Sequence, residues 1–253
     1  MTPVRISVVY RFIIPLLLLY TVSTNLFSQE KQDIKILIVT GGHGFQEKEF
    51  YELFEKMPGI KYDKIVLPGE MDRLAPGLEK EYDVLVTYDM NHFPMKDGQL
   101  ENFSKLIREG MPLLVFHHSF CAYPDWPEYR KIAGGDFLYK TTDIDGKQWK
   151  PSSTKVPVDM EVEIVDKNHP ITKGMDSFTI HDEAYKDIYV CPDIHLLLKT
   201  AHPDASPQIA WCHQYGKANI FTILLGHDRF AYENPQLQKI LLQGICWLAS
   251  EKK

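Results

Sequence analysis

Ile34-Lys35-Ile36-Leu37-Ile38-Val39-Thr40-Gly41-Gly42-His43 is an apolar, β-branched run that stops at two glycines. Such a run suits a strand buried on both faces, with Gly41-Gly42 as its end. Glu47 to Lys56 then places Phe50, Leu53 and Phe54 on one helical face. Tyr62 to Leu67 and Asp83 to Tyr88 read as the second and third strands. Gln99 to Glu109 carries Leu100, Phe103, Leu106 and Ile107 at helical spacing, Gly110 caps it, and Leu113 to Phe116 makes a fourth strand. Strands alternating with helices through short links predict a doubly wound, mostly parallel α/β sheet covered on both faces.

Residues 134 to 160 break this periodicity with Gly134-Gly135, Asp145-Gly146 and Pro151-Ser152-Ser153, and read as a surface excursion. Val156 to Val165 and Leu196 to Thr200 return as strands. Ile209 to His213 and Ala218 to Leu224 flank Gln214-Tyr215-Gly216-Lys217, a hairpin signal. Pro235 to Ala249 is the last helix, with Leu237, Ile240, Leu241, Gly244, Ile245 and Leu248 buried. No linker divides the chain, so residues 29–253 are expected to form one domain.

The first 28 residues differ from the rest. Arg5 and Arg11, an apolar block from Phe12 to Val22 and a small-residue exit predict a secretory signal peptide over residues 1–28, hence a periplasmic or secreted protein. The block is shorter than the about 20 residues of a membrane span, so no stable membrane insertion is expected after cleavage. An uncleaved anchor is the alternative. The remaining 26 basic and 34 acidic residues give −8, with no basic run, which argues against nucleic acid as a partner. Cys121, Cys191, Cys212 and Cys246 have no CxxC spacing and predict no structural disulfide. A homo-oligomer is left open.

Ligands of doubly wound sheets bind beyond the carboxyl ends of the strands. There the sequence places His43, then Asn91-His92, then His117-His118, then His227-Asp228. A single histidine reads best as structural, but several converging by topology favour acid–base or metal chemistry. His181-Asp182-Glu183-Ala184-Tyr185 adds two carboxylates and a phenol. It reads either as a solvated acidic turn or as a source of a base, an orienting group or a metal ligand. Trp126 and Tyr123 offer aromatic surface for a sugar ring or for the core. Cys121 reads as an inert thiol or as a nucleophile activated by a histidine.

Taken in order, several motifs resemble the ThuA-like (trehalose-utilisation) family: Val39-Thr40-Gly41-Gly42-His43, Leu114-Val115-Phe116-His117, Trp126-Pro127-Glu128-Tyr129, Asn168-His169-Pro170-Ile171-Thr172-Lys173-Gly174, Asp182-Glu183-Ala184-Tyr185 and Leu225-Gly226-His227-Asp228. The resemblance runs from Ile36 to about Leu248. It implies a flavodoxin-like, class I glutamine amidotransferase-like three-layer sandwich. His117 falls near the position of the amidotransferase cysteine, so ammonia release from glutamine is not expected. The family association implies trehalose-type disaccharides, including 3-keto-glycosides, as substrates.

These readings give two expectations. One is an exported enzyme with His117, His227, Glu183 and Asp182 as catalytic groups. His43, Asn91, His118, Trp126, Tyr185 and Asp228 would contact substrate, and a divalent metal on His117, His227 and Glu183 is the candidate cofactor. The other is a non-catalytic sugar-binding module with Trp126, Tyr123, Tyr185 and Asn91 as its platform. A third, a hydrolase using Cys121, requires that thiol to be exposed beside a histidine.

Overall fold

The computed structural model describes residues 1–3 and 33–252. The signal peptide expected over residues 1–28 falls, from residue 4 onward, outside the described residues. Among the described residues no helix is long and apolar enough to cross a membrane.

The first half of the chain runs β1 (Ile34–Gly41), α1 (Glu47–Glu55), β2 (Ile60–Leu67), β3 (Val84–Thr87), α2 (Gln99–Arg108) and β4 (Leu113–Phe116). A 3-10 turn over His117–Cys121 leads to α3 (Pro127–Ala133). The short strands β5 (Gly135–Asp136), β6 (Thr142–Ile144) and β7 (Lys147–Trp149) come next. Then follow β8 (Ser153–Ile164), β9 (Phe178–Lys186), β10 (Tyr189–Val190), β11 (His195–Lys199), β12 (Gln208–Tyr215) and β13 (Ala218–Ile223). The helices α4 (Arg229–Tyr232) and α5 (Pro235–Ser250) close the chain.

One nine-stranded sheet dominates, in the order β2-β1-β3-β4-β13-β12-β11-β8-β9. From β2 to β13 neighbouring strands are parallel, and from β13 to β9 they are antiparallel. The strands at the centre alternate sides strictly. Ile36, Ile38, Val84, Val86, Leu114 and Phe116 join the α1 and α5 core, whereas Leu37, Val39, Leu85, Leu113 and Val115 join the α2 and α3 core. Two dry cores on one sheet make the expected three-layer α/β sandwich.

The excursion of residues 134–160 holds more order than its glycines suggested. β5 pairs with β10 and β6 pairs with β7, while β8 begins at Ser153. The acidic pentapeptide is strand, not turn: β8 pairs with β9 so that Val158 faces Asp182 and Asp159 faces His181. Its alternation buries Ile180, Asp182 and Ala184 and sends Glu183 and Tyr185 to the other side.

Gly226 follows β13 at φ +119, and a Cβ there would lie 2.2 Å from the Phe116 ring. Gly226→Ala is therefore expected to cost about 2–4 kcal/mol, from backbone strain and overpacking together. A lower urea midpoint with an unchanged slope would show this, and an unchanged midpoint would refute it.

Candidate functional site

Three strand ends and one crossing strand build the site. β4 ends at Phe116, and the chain turns so sharply that His117 takes φ +45, a left-handed conformation rare for a residue with a side chain. β1 ends at Gly41 and Gly42, where a Cβ on Gly42 would sit 2.1 Å from the Met90 carbonyl oxygen. That close approach of two loops leaves His43 exposed, with its ring 4.2 Å from that of His118. β13 leads through Gly226 to His227. β9 supplies Glu183 and Tyr185.

The polar atoms of these residues converge. His117 Nε2 lies 3.2 Å from Glu183 Oε2 and 3.4 Å from His227 Nδ1, and His227 Nδ1 lies 3.1 Å from the same carboxylate oxygen. His118 completes a set of four whose ligand atoms all lie within 4.8 Å of one another. Tyr185 brings its hydroxyl to 3.2 Å from His117 Nε2.

Hydrogen-bonding rules fix one tautomer. His117 Nδ1 is 2.6 Å from the Leu224 carbonyl, which can only accept, so Nδ1 carries the hydrogen. In the neutral ring Nε2 is then a lone pair facing the cluster, as in metal-binding histidines held from behind by a carbonyl. His118 Nε2 is buried with no hydrogen-bond partner. Burial, then the neighbouring His117, His43 and His227, push the His118 pKa far down, so its ring is neutral. Burial pushes Glu183 up, but hydrogen bonds and charge from His117 and His227 outweigh it and its carboxyl is held well below the usual range. The hydrogen bond from Glu183 raises the His227 pKa against the opposing effect of burial.

The spacing fits a cation. Four ligands at about 2.0–2.1 Å around a tetrahedral ion stand about 3.3–3.4 Å apart, close to the 3.1, 3.2 and 3.4 Å observed between Glu183, His117 and His227. Three imidazoles and one carboxylate suit zinc and the neighbouring divalent transition metals. The orphaned Nε2 of His118 is the kind of buried polar atom that such an ion would satisfy.

Other expected site residues lie elsewhere. Asp182 is buried behind the cluster, where its two oxygens accept the amides of Gly226 (2.7 Å) and His227 (2.9 Å). It holds the His227 loop and does not face the cluster's interior. Asn91 is also buried, with its amide group engaged by Met95 and Phe93. Trp126 packs against Phe103, Tyr123 and Tyr129 and faces a separate cleft shared with Asn91. Asp228 caps α4 by accepting the amides of Phe230 and Ala231. His92 turns away to the Cys121 carbonyl. Cys121 is buried, and burial pushes its thiol far above the ordinary range, so it is no nucleophile.

Sequence reading missed two tyrosines that steady His227. The Tyr88 hydroxyl donates to the Gly226 carbonyl at 2.7 Å and meets the Tyr232 hydroxyl at 2.7 Å. The available signal was Tyr88 at the end of a buried strand, where its hydroxyl needs a partner.

Asp182→Asn would aim an amide NH2 at a backbone amide and leave one donor unsatisfied. A loss of about 2 kcal/mol is expected in urea unfolding, together with metal affinity lowered about 10–100-fold by the loosened His227. Unchanged values in both measurements would remove Asp182 from this role.

With the geometry in place, comparison with known proteins gives a consistent answer. The family model described as ThuA, trehalose utilisation, matches residues 35–248. A search of curated proteins by sequence finds no match. A ThuA-like protein from Parabacteroides merdae is similar in structure, with TM-score 0.72, 21% identity, and coverage of 87% of this chain and 91% of that one. A ThuA-like protein from Bacteroides uniformis gives TM-score 0.66 at 18% identity, covering 88% and 94%. The cytoplasmic protein STM3548 from Salmonella typhimurium gives 0.59 at 14%, covering 85% and 99%. These likenesses carry the fold, and the family match carries the membership: the chain belongs to the ThuA (trehalose utilisation) family, whose fold is that of the class I glutamine amidotransferases.

Proposed function

We propose that this protein is an exported, metal-dependent enzyme that processes a trehalose-type glycoside or its 3-keto form. One observation carries the reading: His117, His227 and Glu183 stand at the edge lengths of a tetrahedral metal site, with the unpartnered His118 Nε2 beside them. Membership of a trehalose-utilisation family supports the carbohydrate part, and residues 1–28 motivate the export.

His117, His118, His227 and Glu183 would hold the ion. When bound, it supplies a Lewis acid for a sugar ketone or hydroxyl and a water of lowered pKa. The chain's own groups do the rest. Tyr185 is buried and its pKa is pushed well up by burial, so its hydroxyl stays protonated beside His117 and can donate to a substrate oxygen. His43, exposed at the mouth, is placed to exchange a proton with solvent. A ketone acidifies the neighbouring C–H, so an elimination can proceed by proton abstraction without the carboxylate pair of ordinary glycosidases.

This assembly favours an enzyme over a sugar-binding module. The platform such a module would use is dispersed, since Tyr123 and Asn91 are buried and Trp126 belongs to another cleft.

Native protein is expected to carry one divalent ion per chain by elemental analysis. His117→Ala, His227→Ala and Glu183→Gln should each lose it and lower keto-glycoside turnover by more than about 100-fold, beyond the loss for an outer-shell residue. Metal-free protein that turns over as fast as loaded protein would overturn the proposal.

The pH dependence has a defined sign. A ligand imidazole must shed its proton, so metal affinity should fall as pH drops below the raised His227 pKa and recover above it. Metal-free protein should show the opposite trend. The His227–Glu183 pair adds stability that is complete between about 4.3 and 6.5, the unfolded values of Glu and His. That stability is lost as pH rises through the raised His227 pKa, or falls through the lowered Glu183 pKa. Metal titrations and urea melts across pH, with and without chelator, would check both slopes.

A further inference from the structure

Beside the histidine cluster lies a second, unassigned cavity. It encloses about 490 Å³, within the about 300–1,000 Å³ of small-molecule sites. Its lining includes Tyr139, Phe137, His92, Arg130, Asp136 and Lys140. One aromatic layer separates it from the cluster: the Phe137 ring is 5.6 Å from Tyr185, and Tyr185 is 5.1 Å from His117.

Its walls match the two needs of a sugar ring, an apolar face and paired polar groups. Tyr139 is 43% exposed, so its ring is available although its hydroxyl is fixed 3.0 Å from both the Cys121 carbonyl and His92 Nε2. Phe137 backs it at 5.0 Å. Arg130 donates through Nε and Nη2 to the same Asp136 oxygen, at 3.0 and 2.9 Å. Among the described residues Asp136 Oδ1 and Arg130 Nη1 then have no hydrogen-bond partner. An acceptor and a donor fixed side by side suit two neighbouring hydroxyls of a pyranose. The pair is only 18% exposed on each side, so the groups are pre-aligned and lose little freedom on binding.

We infer that this cavity is the subsite for the second sugar ring of a glycoside whose reacting ring sits at His117 and Glu183. The inference rests on the carbohydrate reading above and adds where the far ring goes. It makes disaccharides, not monosaccharides, the preferred ligands.

Calorimetric titration of the metal-loaded protein with trehalose, methyl α-glucoside and glucose tests this. Trehalose is expected to bind at least about tenfold more tightly than the other two, a difference of about 1.4 kcal/mol. Tyr139→Ala, at an exposed position, should bring trehalose down to the level of glucose while the metal content stays at one ion per chain. Asp136→Asn should do the same, with its melting temperature recorded to separate misfolding from lost contacts. Equal affinities of the native protein for trehalose and glucose would overturn the subsite alone. So would an unchanged trehalose affinity in a folded Tyr139→Ala protein. If loaded protein binds none of the three sugars, the carbohydrate reading falls and takes the subsite with it.

Discussion

Both oxygens of the Asp182 carboxylate accept backbone amides, from Gly226 and His227, and through them β9 is held across the carboxyl end of the parallel strands. Burial of this group is costly, and its pKa is pushed up accordingly, by desolvation first. What offsets the cost is that the amides at the end of β13 would otherwise be buried without acceptors. The same contact fixes the register of Glu183 against His227, because adjacent residues on a strand point to opposite sides. Asp182 faces the loop, so Glu183 faces the cluster. A slip of one residue along β9 would exchange a structural carboxylate for the reactive one.

The parallel half of the fold was legible because its information is local. Ile34 to Val39 and Leu113 to Phe116 are buried on both faces, so their composition alone identifies them. The helix after Asn234 declares itself through an Asn-Pro start and a periodic apolar face. β9 was harder. One of its faces packs in the core and the other lines the site, so charged residues recur through a strand and imitate a turn. Its partner β8 is recognised only once paired.

The site was partly legible for the same reason. His43, His117, His118 and His227 follow strand ends, and the rule that ligands gather there needs only the order of elements. His92 follows a strand end too, yet its ring turns toward Tyr139, more than 40 residues later in the chain, and no local pattern carries that. Asp228 has the look of a site residue but serves as a helix cap, a role readable from its place ahead of α4. Trp126 was assigned to ligand by its chemistry, whereas its surroundings are other aromatic rings. Side-chain type nominates a residue, and only its neighbours decide the role.

The four clustered side chains come from separate parts of the chain: the turn after β4, the middle of β9 and the loop after β13. No fragment that lacks the last quarter of the sequence contains them all. An ion gripped by this set would therefore act as a clasp on the whole topology, closed only after the final crossover is in place. By mass action such a clasp adds about 4 kcal/mol to the folded state at a thousandfold excess over its dissociation constant. It would also make escape of the ion slow, since release requires β9 or the β13 loop to lift away. Maturation of the protein and occupancy of its centre become one event, and the last segment to fold is the one that locks it.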